Sequence, residues 1–164
     1  MNANCPTAAI IATNPMLNRF LVFTVDAQQY ALRLESVQRV VRMVEITPLP
    51  KAPDIVLGVI NLAGSVTPVL SPRRRLGLPE KEIGLDANLI IASTATRRVA
   101  LAVDSVTKLE ERLSEEIVEA ETVAPGTRFT TSIVNLEDGI LFIHDLDRFL
   151  SGEEEMQLND LLTQ

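Results

Sequence analysis

The stretch 58-GVINLAGSVTPVL-70 decides the fold. Two short apolar runs flank Asn61, Ala63 and Gly64, which suit a tight turn, so the segment reads as a β-hairpin. Pro68 offers no backbone N–H, which places the second strand at a sheet edge or a bulge. The stretch holds no titratable group, and no base stands in it to activate Ser65 or Thr67. It is a hairpin built for contact.

Upstream, 20-FLVFTVDAQQYALRLESVQRVV-41 alternates apolar residues on both sides of a polar turn at Asp26 to Gln29. This predicts a second hairpin followed by a helical turn over 35–40. Residues 41–47 alternate as another strand. The segment PLPKAP that follows holds three prolines in six residues and reads as a rigid loop. Asp54 is placed to cap one turn of helix, DIVL, ended by Gly58. Downstream, 71-SPRRRLGLPEKEIGLDA-87 carries turn residues and charges with weak periodicity, the pattern of a connection between two lobes.

From Asn88 the chain repeats itself. YALRLESV at 30–37 lies on VALAVDSV at 99–106, an offset of 69 residues. GVINLAGSVTPVLSPRRRL at 58–76 lies on SIVNLEDGILFIHDLDRFL at 132–150, an offset of 74. Two matches in the same order at nearly the same spacing predict two similar β-lobes, about 19–80 and 86–150, joined through 71–88. Each lobe holds about five short strands, and closure into a small barrel removes the open edges. Barrels of about 60 to 70 residues have small cores, so the two should pack together and leave a groove between them. The expected class is mainly β, a domain over 19–152 with short helices, followed by a C-terminal helix over 153–164. Ser151 and Glu154 stand at capping-box spacing before that helix, and Leu158, Leu161 and Leu162 share one face.

Composition agrees with a β-rich chain. Of 164 residues 46% are hydrophobic but only 4% aromatic, with no Trp, so Val, Ile and Leu must fill the core. A net charge of -7 excludes a nucleic-acid binder, which needs a basic footprint. The one basic run, Arg73 to Arg75, reads as a solvated loop. The single Cys5 allows no disulfide framework or metal knuckle and suits a reducing, cytoplasmic compartment. Residues 1–18 contain a short apolar patch, AAIIA, without a preceding positive region, and read as a disordered tail. No run is long enough for a membrane span, so no direct membrane insertion is expected.

The search for chemistry returns nothing that would need a cofactor. His144 is the lone histidine and reads as a strand-end residue. The acidic run from Glu110 to Glu121 lacks the Gly-centred spacing of a calcium loop and reads as a solvated face. No phosphate loop, nucleophile elbow or metal spacing occurs. A non-enzymatic binding module follows.

Taken together, the first hairpin, Val37-Gln38 at the turn after it, the proline loop and the GVINLAGSVTPVL hairpin resemble the chemotaxis coupling protein (CheW) family over about 18–152. The family signature reads approximately G-V-x-N-L-R-G-x-x-x-P-V-x-D-L-R, and this chain keeps Gly58, Val59, Asn61, Leu62, Gly64, Pro68, Val69 and Arg73. The resemblance implies two five-stranded SH3-like barrels, no catalysis and no cofactor. It also implies an adaptor that couples the cytoplasmic tips of methyl-accepting chemoreceptors to the regulatory domain of a CheA-type histidine kinase. The alternative within it is a variant adaptor of a twitching or developmental chemosensory pathway. The partner-binding residues it implies are Val37, Gln38, Arg39, Gly58, Ile60, Leu62 and Ala63. Val37 and Gly58 match positions associated with receptor contact, Gly58 because a side chain would block the partner's approach. Two positions depart from the family: Ala63 replaces an arginine, and Arg39 replaces an acidic residue. Arg39 is therefore expected at the groove rim, facing an acidic partner.

Overall fold

The structure, a computed structural model, describes residues 17–119, 130–137 and 139–162. The expected disordered tail, apart from its last two residues, lies outside them. Eleven strands are described: β1 (Leu17–Val25), β2 (Gln28–Arg33), β3 (Val37–Arg42), β4 (Val56–Leu62), β5 (Ser65–Leu70), β6 (Asn88–Ser93), β7 (Arg98–Val103), β8 (Ser105–Leu113), β9 (Ile117–Glu119), β10 (Thr130–Leu136) and β11 (Gly139–His144). Two helices accompany them, α1 (Pro72–Arg75) and α2 (Gly152–Leu162). The fold is mainly β, as the alternation predicts.

The strands form a six-stranded sheet, β8-β1-β2-β11-β10-β9, and a five-stranded sheet, β3-β6-β7-β5-β4. Both close by the same device. In the first, β8 pairs with β1 and its continuation β9 pairs with β10, so one bent segment serves both ends of the sheet. In the second, β3 pairs with β6, and the chain beyond it reaches β4 through reciprocal backbone bonds between Thr47 and Val59 of 2.9 and 2.8 Å.

The sheets do not follow the expected division into 19–80 and 86–150. The first hairpin, β1–β2, belongs to the barrel otherwise built from 105–144, and the β6–β7 hairpin belongs to the barrel built from 37–70. Each half of the duplication lends its first hairpin to the other. The repeat alignment maps one sheet onto the other in order: β3, β6, β7, β5 and β4 correspond to β8, β1, β2, β11 and β10. The chain passes between barrels at LESV and DSV, the repeat's own matched residues, whereas 71–87 joins β5 to β6 within one sheet and is no inter-lobe connection.

Alternation along the exchanged hairpins sorts side chains into three cores. Phe20, Val22 and Ala31 fill the first barrel with Val134, Leu141 and Ile143. Leu89, Ile91 and Ala100 fill the second with Ile60 and Val69. The alternate residues Leu21, Phe23, Tyr30, Leu32, Ile90, Ala92, Val99 and Leu101 face the other barrel and form the largest cluster, joined by Phe149, Leu150 and Leu158. The two barrels are therefore held as one body by apolar burial.

Local readings fare unevenly. Residues 37–40 are strand instead of helical turn, and the segment after β3 contributes only the Thr47 bridge. The turn of helix expected over 54–57 is a hydrogen-bonded turn, Val56 N–H donating to Pro53 O at 2.9 Å, that leads into β4. The 58–70 hairpin is as expected: Ala63 and Gly64 take φ values of 51° and 87°, and Asn61 Oδ1 accepts the Gly64 N–H at 2.8 Å. Pro68 precedes the two residues, Val69 and Leu70, at which β5 gains its second neighbour β7. The capping box at α2 forms, with Ser151 N–H donating to Glu154 at 2.8 Å and Glu154 N–H to Ser151 Oγ at 3.1 Å.

Candidate docking surface

The hairpin residues divide. Gly58 is buried inside β4, with φ 155°, where the β4–β5 register shifts. A Cβ there would stand 2.2 Å from Thr47 O and 2.8 Å from Thr47 C. It is not a helix C-cap, and the approach it permits within the chain is that of Thr47. Ile60 is buried in the second barrel's core and presents nothing to a partner. Leu62 packs partly against the same core, and Ala63 stands exposed at the turn.

Val37, Gln38 and Arg39 stand on β3, the opposite end of that sheet's order from β4. A bulge between Val37 and Arg39 turns Val37 onto the inter-barrel core while Gln38 donates to Ser93 Oγ at 2.7 Å. Arg39 and Arg42 are exposed, and neither has an ion-pair partner among the described residues.

The apolar surface that β3 offers continues on β8. Val40 sits opposite Ile90, and Leu109 opposite Leu21, both partners being in or lining the inter-barrel cluster, so Val40 and Leu109 extend that layer outward past each sheet edge. The strands meet at Asn88, which pairs with Arg42 of β3 and accepts the Val106 N–H of β8 at 3.2 Å. Val37 and Val106 both pack on the inter-barrel cluster. Val106 and Leu109 were not among the expected residues. The signal was present: at the repeat offset of 69, Val37 falls on Val106 and Val40 on Leu109.

The same relation extends further. Among the exposed large apolar residues are Val40, Val44 and Val66 on the second barrel and Leu109, Leu113 and Ile140 on the first. The second trio is the first displaced by 69, 69 and 74 residues. Each barrel thus carries the same exposed apolar positions.

Charged groups brace this frame. The arginine run is a helical turn with every member paired, not a solvated loop. Arg73 is largely buried, donates to Asp104 at 2.9 Å and Asp26 at 3.2 Å, and joins one barrel to the turn of the hairpin lent to the other. Burial pulls its pKa down, but the bonds to Asp104 and Asp26 outweigh this and raise it, so it stays cationic. At the position related by the repeat, Asp147 accepts the Ala95 N–H at 2.7 Å, tying the other lent hairpin. Arg74 pairs with Glu80 at 2.8 Å and Arg75 with Glu154 at 2.5 Å. A cavity of about 460 Å³ lies under 80–87, but Arg73 and Arg74 in its wall are already engaged by Asp104 and Glu80.

His144 is buried, stacked on Tyr30 with ring centroids 4.9 Å apart and meeting Phe149 edge-on at 5.5 Å. It is a packing residue at the end of β11. The described part of the acidic run is a surface ladder: Glu110 pairs with Lys108 and Arg112, and Glu111 with Arg19. Among the described residues no group of three or more acidic, His or Cys side chains could hold a metal ion, and no helix is long and apolar enough to cross a membrane.

Comparison with known proteins is consistent with this architecture. A family model described as a CheW-like domain matches residues 19–154. The chain is 33% identical over 137 residues to the chemotaxis protein CheW of Bacillus subtilis, covering 82% of this chain and 88% of that one. It is 26% identical over 156 residues to CheW of Klebsiella aerogenes, covering 93% of each. Over 101 residues it is 31% identical to the protein FrzA of Myxococcus xanthus, covering 62% of this chain and 63% of that one. The crystal structure of the scaffolding protein TtCheW from Thermoanaerobacter tengcongensis superposes with a TM-score of 0.77 at 26% identity, over 85% of this chain and 96% of that one. The duplicated barrels with exchanged hairpins, the kept hairpin signature and the match over 19–154 establish that the chain belongs to the CheW-like domain family.

Proposed function

We propose that this chain is a non-catalytic chemosensory adaptor that joins the cytoplasmic tips of methyl-accepting chemoreceptors to the regulatory domain of a CheA-type histidine kinase. The observation that carries the reading is the duplication of exposed apolar positions, since a bridging protein needs more than one docking surface. Exposed Val40 and Leu109 are the flanks of the apolar groove this reading places between the barrels, which would take the apolar face of a helical hairpin docking by side chains at helical spacing. The outer surface at Val44 and Val66 is left for the kinase. Arg39 and Arg42, exposed on β3 and without an ion-pair partner among the described residues, favour an acidic rim on the receptor. In this reading the chain works in the cytoplasm, recruited to membrane-associated arrays by its receptor.

The test is affinity capture of the tagged full-length chain from its own cells, followed by mass spectrometry. Wild type should recover a CheA-type kinase and chemoreceptors. Leu109→Asp should lose the receptors and keep the kinase, because a charge in an apolar groove is desolvated without a partner. Recovery of neither class would refute the reading, and recovery of a distinct kinase with no chemoreceptor would support the alternative, a variant adaptor of a twitching or developmental chemosensory pathway.

A further inference from the structure

The receptor surface proposed above spans both barrels, with Val40 on the second and Leu109 on the first, whereas Val44 and Val66, left for the kinase, both belong to the second. The shape of the receptor surface therefore depends on how the barrels are set against each other. Apolar burial holds them together, but it is non-directional and does not by itself select one orientation. Directional bonds across the junction do.

Arg73 follows β5 of the second barrel, and its guanidinium reaches two points of the first. Nη2 donates to Asp104 Oδ2 at 2.9 Å and Oδ1 at 3.2 Å, and Nη1 donates to Asp26 Oδ1 at 3.2 Å and to Pro79 O at 2.9 Å. Asp26 lies in the β1–β2 turn and Asp104 immediately precedes β8, and the Asp26 N–H ties the two by donating to Asp104 Oδ2 at 2.8 Å. The Arg73 side chain is only 11% exposed. A planar guanidinium engaged through both terminal nitrogens is held in one orientation, and it holds its partners likewise.

The repeat shows how this clamp differs between the two sides of the molecule. At an offset of 74 Arg73 falls on Asp147, and at an offset of 69 Asp26 falls on Ala95 and Glu35 on Asp104. Asp147 accepts one backbone N–H, from Ala95 at 2.7 Å, and Glu35 has no ion-pair partner among the described residues. The crossing that leads into β8 is clamped by charge, and the crossing that leads into β3 is not.

We infer that Arg73 is a positioning residue for the receptor surface: by holding Asp26 and Asp104 it sets the first barrel against the second and so fixes Leu109 relative to Val40. Its own bonds, to Asp26, Asp104 and Pro79, lie outside that surface. The effect on receptor binding rests on the function proposed above; the effect on barrel placement does not.

Barrel placement is read in the full-length protein from the distance between two nitroxides, at Glu45→Cys on the second barrel and Glu119→Cys on the first, both exposed, in a Cys5→Ser background. Arg73→Met should shift or broaden the distance distribution while the circular dichroism stays that of wild type. Arg73→Lys, which keeps the charge but not the fork, should do so less. A distribution unchanged in Arg73→Met would overturn the inference. For binding, the probes are a helical-hairpin fragment of a chemoreceptor tip and the regulatory domain of a CheA-type kinase. Arg73→Met should bind the fragment several-fold more weakly and the kinase domain as wild type does, because only the receptor surface spans both barrels; Arg73→Lys should fall between. Asp104→Asn should show the same selective loss, and Arg73→Met/Asp104→Asn a loss no greater than Arg73→Met, because both substitutions open one clamp. Loss of both partners in proportion to the folded fraction would make Arg73 merely structural and overturn the positioning role. So would a shifted distance with unchanged affinity for the fragment. A wild type that does not bind the fragment would count against the receptor reading, and the distance measurement would then decide barrel placement alone.

Discussion

Replacing Gly58 by alanine separates a structural glycine from a contact glycine. The added Cβ would meet Thr47 O at 2.2 Å and Ile46 Cγ2 at 2.9 Å, and the first neighbour is backbone, which cannot rotate away. Gly58 also has φ 155°, where a side chain is strained at a cost of about 1–3 kcal/mol. Relief requires Thr47 to move away, which breaks the reciprocal 2.9 and 2.8 Å bonds to Val59 that close the second barrel. Each such bond contributes about 1 kcal/mol net. The sum is about 3–5 kcal/mol, a large part of a stability on the order of 5–15 kcal/mol. Urea unfolding of wild type and Gly58→Ala, followed by circular dichroism, should show a midpoint lowered accordingly with little change in slope. Binding should fall only in proportion to the folded fraction. A variant within about 1 kcal/mol of wild type that nevertheless failed to bind would show that Gly58 serves the partner, and the assignment to Thr47 would be wrong.

Thr67 is 1% exposed, its hydroxyl has no partner among the described residues, and its repeat counterpart is the buried Leu141. Thr67→Val should raise stability by about 1 kcal/mol by removing an unsatisfied buried group, measured by the same urea titration. Glu154 has its pKa lowered: burial pushes it up, but the bonds from Arg75 and Ser151 outweigh this. A depressed folded pKa means its contribution is complete above the ordinary carboxylate range and is lost as pH falls through the folded value. Stability should therefore drop on acidification below about pH 4.5, and Glu154→Gln should flatten that part of the stability–pH curve while lowering stability at pH 7.

The elements were legible where local pattern alone determines them. The 58–70 hairpin, the β1–β2 hairpin and the α2 capping box each follow from turn chemistry and alternation within a dozen residues. The duplication was legible as well. The partition of strands was not, because lending a hairpin across a pseudo-symmetric pair leaves every local pairing partner chemically alike. Leu32 and Leu101 occupy matching positions whichever half supplies the rest of the barrel. The choice lies in the short crossings after Arg33 and Val103, which run into the opposite barrel and are fastened there, the Asp104 N–H donating to Thr24 O at 3.0 Å. Val37–Val40 read as a helical turn because a β-bulge at Gln38 breaks the alternation that marks a strand.

At the docking surface, motif position and surface position came apart. Gly58 belongs to the family signature and also leaves the room in which Thr47 bonds Val59 to close the second barrel, so a motif defined by the hairpin reports folding as much as binding. Arg39 and Ala63 are the two departures from the family pattern. Arg39 stands on β3 and Ala63 at the turn after β4, and the Thr47–Val59 bonds bring the chain beyond β3 onto β4 as the barrel closes. Arg39 pairs with Ile91 of the second barrel's core and so lies on the face of β3 opposite to Val40, whereas Arg42 shares the face of Val40. Ala63 belongs to the turn beside Val66, on the surface assigned above to the kinase. In the proposed reading, where Arg39 serves the receptor and Ala63 lies on the surface left for the kinase, the two act on different partners, so their effects on binding should be independent instead of compensating. That independence is what an adaptor with separate docking surfaces requires: each surface can be retuned to one partner without disturbing the other.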